Sequence, residues 1–176
     1  MQEKPVKTKT YYPVSLDEAK RHLRVDDDFD KDDDYIRNLI YAATQKCEEY
    51  IGKDIALTSN IVKIPDFVGS DFYVEEGHLI SVDYVKQSDA STLVAIDHYE
   101  TYYNRVYVEL SSSADQDPLY VYYTTGFAAG NCPALIKQAV LVKIGDLYDV
   151  ERQSYSDHKE NYAYQRLLDS FKIILY

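Results

Sequence analysis

The hydrophobic residues of this chain keep two different periods, and the period changes twice. Up to Gly52, and again after Gly126, apolar side chains recur every three to four residues; from Ile55 to Thr124 they tend to alternate with polar ones. A stripe of helical period cannot be buried by a strand, nor an alternating face by a helix, so the order must be helices, sheet, helices. That order predicts an α+β fold. A helical bundle core of about four helices comes from both chain ends, residues 15–52 and 133–175, and an antiparallel β-sheet from residues 55–125 is inserted into it.

The first helical segment is sharply punctuated. Ser15 is an N-cap with Glu18 at the third helical position, the pattern of a capping box, and Val14 is placed to staple onto Ala19. This short helix runs from Leu16 to about Arg24, followed by an acidic turn. A longer helix then runs from about Asp33 to Ile51, with Ile36, Leu39, Ile40, Ala43, Cys47, Tyr50 and Ile51 along one stripe. Gly52 supplies the left-handed position that ends it. In the last third, Pro133 suits the first turn of a helix to about Val150, whose stripe is Ile136, Ala139, Val140, Ile144 and Leu147, widened by Leu141 and Val142. A polar break, Gln153–Asn161, precedes a final helix with Tyr164, Leu167, Leu168, Phe171 and Ile174 in register.

Seven strands are expected between these helices: Ile61–Ile64, Phe72–Val74, Ile80–Val85, Leu93–Ile96, Tyr99–Tyr103, Val106–Leu110 and Leu119–Thr124. In the third, Ile80, Val82 and Tyr84 share a face; in the sixth, Val106, Val108 and Leu110 do. Such alternation marks strands buried on one side only. Residues 1–13 are polar, basic and aperiodic, and read as an arm with no fixed fold, ahead of a single domain over residues 14–176.

Charge limits the partners. The net charge of −11 is unevenly placed: residues 1–25 carry six basic and three acidic groups, residues 26–34 seven aspartates and one lysine, and residues 55–126 three basic and eleven acidic groups. A protein that grips nucleic acid needs a basic face to neutralise phosphates, and none is offered. No apolar run approaches the ~20 residues of a membrane helix, and the start lacks the apolar core of a signal peptide, so a cytoplasmic protein is expected. Two cysteines fit a reducing compartment, and nineteen tyrosines without tryptophan suit strand faces and interfaces.

No constellation reads as catalytic. The run Asp26–Asp34 suggests calcium, but an EF-hand loop begun at Asp26 puts Lys31 and Arg37 where glycine and glutamate belong, and one begun at Asp28 puts Asp33 and Leu39 there. The simpler reading is an acidic helix N-terminus, with most carboxylates solvated. His22, His78, His98 and His158 are scattered. Cys47 lies on an apolar stripe, and Cys132 precedes a helix without a histidine or acidic neighbour. Glu75-Glu76 and Asp115-Asp117 fall in turns, and no phosphate-loop, dinucleotide or nucleophile-elbow motif occurs. No catalytic, cofactor or metal residue is therefore assigned, and the chain is read as a non-enzyme.

Several stretches in order carry a resemblance. They are Pro13-Val14-Ser15-Leu16-Asp17-Glu18-Ala19-Lys20, His22-Leu23-Arg24-Val25-Asp26, Tyr35-Ile36-Arg37-Asn38-Leu39-Ile40 and Glu48-Glu49-Tyr50-Ile51-Gly52. Further on come Leu79–Val85, Val121-Tyr122-Tyr123-Thr124-Thr125-Gly126-Phe127, Cys132–Ala139 and Leu147-Tyr148-Asp149-Val150-Glu151-Arg152. Together, over residues 13–152, they resemble the head–tail connector (adaptor) proteins of tailed bacteriophages, also described as DNA-packaging proteins. The resemblance implies a structural subunit in phage or prophage virion assembly. It would form a homo-oligomeric ring, commonly of about a dozen copies, beneath the portal protein and against a tail-completion or stopper protein. DNA would pass through without specific binding, in the host cytoplasm during assembly and then in the virion neck. The resemblance transfers no catalytic residue, and it implies neither a cofactor nor a membrane.

Two other classes compete. An acidic DNA mimic that occupies a DNA-processing enzyme would spread its carboxylates along a face, whereas here they are concentrated in one turn. A metal-dependent hydrolase would need ligand spacings that are missing. For a connector, the chain ends are natural attachment points: the basic arm Met1–Thr10, and a tail whose Ile173, Ile174, Leu175 and Tyr176 are candidate partner-docking residues. The alternative for the tail is packing on its own helices, since helical spacing links it to Leu167, Leu168 and Phe171.

Overall fold

The computed structural model describes residues 3–75, 78–87, 93–102, 105–114, 118–152 and 162–172. The elements run β1 (Val6–Tyr11), α1 (Leu16–Leu23), α2 (Asp33–Ile51), β2 (Leu57–Ile64), β3 (Gly69–Glu75), β4 (Leu79–Lys86) and β5 (Leu93–Val94). They continue with β6 (Ile96–Tyr102), β7 (Arg105–Ala114), β8 (Leu119–Thr125), α3 (Ala134–Arg152) and α4 (Ala163–Leu168), which closes in a 3-10 turn, Asp169–Phe171. All strand pairings are antiparallel, and the class is α+β. By packing, the chain divides into two compact units. One comprises Met1–Tyr11 and Ala56–Phe127; the other comprises Tyr12–Ile55 and Ala128–Tyr176.

In the β unit the strands form two sheets where one was expected. Five strands are ordered β1-β2-β8-β4-β5 and three are ordered β3-β7-β6. The two sheets share one core: Val62, Val82, Val85, Leu119, Val121 and Tyr123 from the first meet Phe72, Val74, Val106, Val108 and Leu110 from the second. The alternation read in β7 is therefore an inward face, with Tyr107 and Glu109 on the other side.

In β4 the expected common face of Ile80, Val82 and Tyr84 is not what forms. The register against β8 shifts between Leu79 and Ser81 and again between Val82 and Tyr84. Each bulge inserts one residue and so reverses which side the following residues face. Val82 and Val85 become the buried pair, while Ile80 and Tyr84 are exposed.

Val6–Tyr11, expected as part of an arm without fixed structure, is an edge strand of the larger sheet, from Val6 opposite Ile61 to Tyr11 opposite Leu57. Its backbone donors and acceptors find partners on β2, a force that a side-chain pattern does not display.

In the helical unit the capping box is present: the Ser15 hydroxyl accepts from the Glu18 amide at 3.2 Å, and the Ser15 amide donates to the Glu18 carboxylate at 2.9 Å. Val14 and Ala19 are both buried. Six of the seven residues of the α2 stripe are buried, with Tyr50 half-exposed and Thr44 added. Gly52, at φ 75°, closes the helix onto Glu48. α3 lies against α1, α2 and α4. It buries Ile136, Ala139, Val140, Ile144 and Tyr148, with Leu141, Val142 and Leu147 half-buried.

Candidate functional site: an acidic turn and an open sheet face

The acidic turn between α1 and α2 is built around a lysine. Lys20 is only 4% exposed. Its ammonium donates to the backbone carbonyls of Phe29 at 2.8 Å and Asp27 at 3.3 Å, and meets the Asp33 carboxylate at 2.5 Å. A buried ammonium needs three acceptors and a compensating charge, and the turn supplies them. The Phe29 amide donates to the Asp26 carbonyl and the Asp33 amide to that of Asp30, so the backbone winds round the ammonium in two turns. Asp33 and Asp34 also pair with Arg37, at 3.9 and 2.8 Å. Asp26, Asp27, Asp28, Asp30 and Asp34 are exposed, as expected of solvated carboxylates, and Phe29 stands among them at 40% exposure. Oxygens that could have served a hard cation are thus directed at the chain's own cation. Sequence reasoning passed over Lys20; the available signal was a lysine directly after buried Ala19, facing an aspartate-rich turn.

On the larger sheet, the outward side carries three cross-strand rows that follow from the register. Thr8, Ser59, Thr124 and Ser81 make a polar row; Val6, Ile61, Tyr122 and Tyr84 an apolar one; Lys63, Tyr120, Lys86 and Leu93 a third. Tyr84 and Tyr122 stack with centroids 4.3 Å apart, and the Lys86 ammonium lies 5.1 and 5.6 Å from their centroids. Val6 and Leu93 are each about two-thirds exposed. Asp83, in the second bulge, is held by the hydroxyls of Ser81 at 2.6 Å and Thr124 at 2.8 Å, and Glu3 pairs with Lys63 at 3.3 Å.

The candidate docking residues Ile173, Ile174, Leu175 and Tyr176 lie outside the described residues. The chain just before them is pinned to α2. The Tyr50 hydroxyl meets Asp169 at 2.5 Å, its ring packs edge-on to Tyr164, and the Lys172 ammonium sits 4.5 Å from its centroid. The bond to Asp169, then partial burial and the charge beside it, push the Tyr50 hydroxyl above its usual range.

The groups considered for chemistry are not brought together. Burial pushes the Cys47 thiol up to about 12 and the Cys132 thiol up to about 11, so both stay protonated at neutral pH. His78 packs on Phe127, His98 is 3.8 Å from Glu100, and His22 is beside Gly145. His158, Glu76, Asp115 and Asp117 lie outside the described residues. Among the described residues, no group of three or more His, Cys, Asp or Glu is placed to hold a metal ion, and no helix is long and apolar enough to cross a membrane.

Among the described residues, the acidic turn round Lys20 and the exposed face of the larger sheet are the features that stand out. The model of the phage gp6-like head-tail connector proteins matches residues 13–125, and the chain belongs to that family. No curated protein matches it. Its fold is similar to a chain in the neck of an empty gene transfer agent particle computed with C6 symmetry, with TM-score 0.75 and 14% identity over 97% of both chains. A chain from the virion of the native particle gives 0.70 and 16%, and one from its neck computed with C12 symmetry gives 0.69 and 14%, each over 97% of both chains.

Proposed function

We propose that this protein is the subunit of a ring at the portal vertex of a phage or phage-like particle, joining head to tail and letting DNA through. Family membership over residues 13–125 carries the reading. The neck chains of similar fold belong to particles computed with C6 and C12 symmetry, and a ring of about a dozen copies accords with both. Helices α1 to α4 act as a bundle that forms the wedge of each subunit. A heterologous contact closes when the rotation per subunit divides the circle, and the portal supplies the template that enforces closure. The protein is non-enzymatic, is made in the host cytoplasm and ends in the virion neck. The charge of −11 suits a conduit, because carboxylates facing a lumen repel phosphates.

Electron microscopy of the protein mixed with its own portal tests the reading: closed rings seated on the portal are expected, and separate particles would overturn it. The tail is proposed as a portal contact. Deletion of residues 172–176 should leave the thermal transition in place while abolishing portal binding. A lost transition would instead assign the tail to its own helices, and no change in either would remove it from the mechanism.

A further inference from the structure

The larger sheet has two open edges, both within the β unit. At one end, β1 pairs with β2 alone. At the other, β5 pairs with β4 only at Val85 and Lys86 and then leaves, its Ala95 carbonyl accepting from the Ser111 amide of the smaller sheet at 2.9 Å. Among the described residues, Leu79–Tyr84 therefore have a strand beside them only on the β8 side. A row of backbone donors and acceptors of this kind is a template for a further strand. We infer that β1 of one copy pairs with Leu79–Tyr84 of the next, so that the sheet runs on from subunit to subunit; the inference rests on the ring reading above.

The rows of the outward side select the occupant and its register. The apolar row starts at Val6, 66% exposed, and ends at Tyr84, 39% exposed; the polar row starts at Thr8 and ends at Ser81. With Val6 of one copy opposite Tyr84 of the next, and Asp83 bulged as it is against β8, Thr8 falls opposite Ser81. Apolar then meets apolar and polar meets polar. Direction agrees: β1, β2, β8 and β4 alternate in sense, so copies related by rotation about an axis along the strands join antiparallel, like every other pair in the sheet.

Charge separates this junction from a pairing of like edges. From Lys4 to Tyr11 the donor carries Lys4, Lys7 and Lys9 and no acidic residue. Beside β4 lies a groove of about 690 Å³ lined by Val82, Leu93, Ile96, Tyr99 and the carboxylates of Asp83 and Asp97, with no lysine or arginine. Lys86, over the Tyr84 and Tyr122 rings, offsets one of these carboxylates and leaves the edge negative. Two β1 strands side by side would instead set lysines against lysines. A two-fold pair built on the β1–β4 contact would have to join both ends of both sheets at once, rolling them into a barrel. The inner face of each is already packed on the smaller sheet, which forbids that. The contact is therefore heterologous and closes as a ring when the rotation per subunit divides the circle.

The test uses the full chain with its portal, and microscopy scores rings in every sample. A chain carrying both Val6→Cys and Tyr84→Cys is assembled and oxidised, and non-reducing gels score the bonds. Across the junction the two positions face one another, within the ~7 Å Cα separation that a disulfide allows; within one chain three strand spacings, about 14 Å, hold them apart. The native thiols, one buried and one half-buried, set the background in the unsubstituted protein. A covalent ladder extending beyond the dimer is expected in the double variant and in neither single one. A dimer from a single variant would show like edges paired and overturn the junction. Closed rings without the ladder, from a variant that melts as the parent does, would overturn the junction and leave the ring reading intact. No rings with the unsubstituted protein would overturn both. A second measurement needs no substitution in the chain. A peptide of residues 3–11, in excess before the portal is added, should cap β4 and lower ring yield about tenfold, whereas the same peptide with Lys4→Glu, Lys7→Glu and Lys9→Glu should not. Rings undiminished by the first peptide, or lost equally to both, would overturn the junction.

Discussion

Lys20 sits at a position 4% exposed, and its energetics belong to the turn that supplies its partners rather than to α1 alone. Lys20→Met keeps the volume and removes the charge, depriving two carbonyls of their donor and leaving the Asp33 carboxylate with only the longer contact to Arg37. Breaking a buried pair from one side costs about 3–5 kcal/mol, and the partial exposure of Asp33 places the expected loss near 3 kcal/mol, read from urea unfolding at neutral pH. Gly126 is constrained differently. It has φ 89°, and a Cβ there would lie 2.0 Å from the Ala56 carbonyl oxygen. Gly126→Ala is expected to destabilise by about 3 kcal/mol or more, since neither backbone can yield cheaply; a soluble variant with an unchanged melting temperature would refute this. The glycine was visible in the sequence as part of Thr125-Gly126-Phe127, but the backbone it must clear lies seventy residues earlier, at Ala56. Lys20 shows the converse: the aspartate-rich turn after it hints at a charge partner, but the two backbone carbonyls that converge on its ammonium leave no trace in the side-chain pattern.

Among the elements, α1 is joined to α3 by Glu18, which completes the capping box and also pairs with Lys137. Burial raises its carboxyl, but the bonds from Lys137 and Ser15 outweigh that and hold it below its ordinary 4.5. A depressed acid stabilises the fold above its unfolded value, and that contribution is lost as pH falls through 4.5 toward the folded value. Glu18→Gln keeps an oxygen for the cap and removes the charge. Its melting temperature should therefore fall less steeply than the parent's below about pH 5; parallel curves would show that the pair contributes nothing. β1 makes a second case. Deleting residues 1–11 should bare the edge of β2 and cause self-association on light scattering, where loss of a disordered arm would do nothing. The helices were legible because caps and stripes are local: α2 spans Asp33–Ile51, the bounds its pattern indicates. The split into two sheets, the paired β1 and the two bulges of β4 were not, because each depends on which backbone lies opposite, a non-local fact.

For the whole molecule, a net charge of −11 makes duplex DNA a poor ligand. At about 150 mM salt the protein should cause no mobility shift of duplex DNA at micromolar concentration; a shift that weakens as salt rises would contradict the conduit reading. The division into units also has a consequence in time. The chain leaves one unit for the other at residues 11/12, 55/56 and 127/128, so the helical unit is begun, set aside and resumed. The apolar stripe of α2 is complete at Ile51, but its partner α3 begins only at Ala134. At about 5–20 residues per second of synthesis, that stripe waits roughly 5–20 s on the ribosome for α3, while every strand of the β unit is already made. Ribosome-bound chains halted once Phe127 has cleared the exit tunnel, with α3 still inside it, should protect the strands from protease and leave α1 and α2 open to cleavage. The nascent subunit would then carry its most adhesive surface uncovered for longest, and a chaperone would find it there.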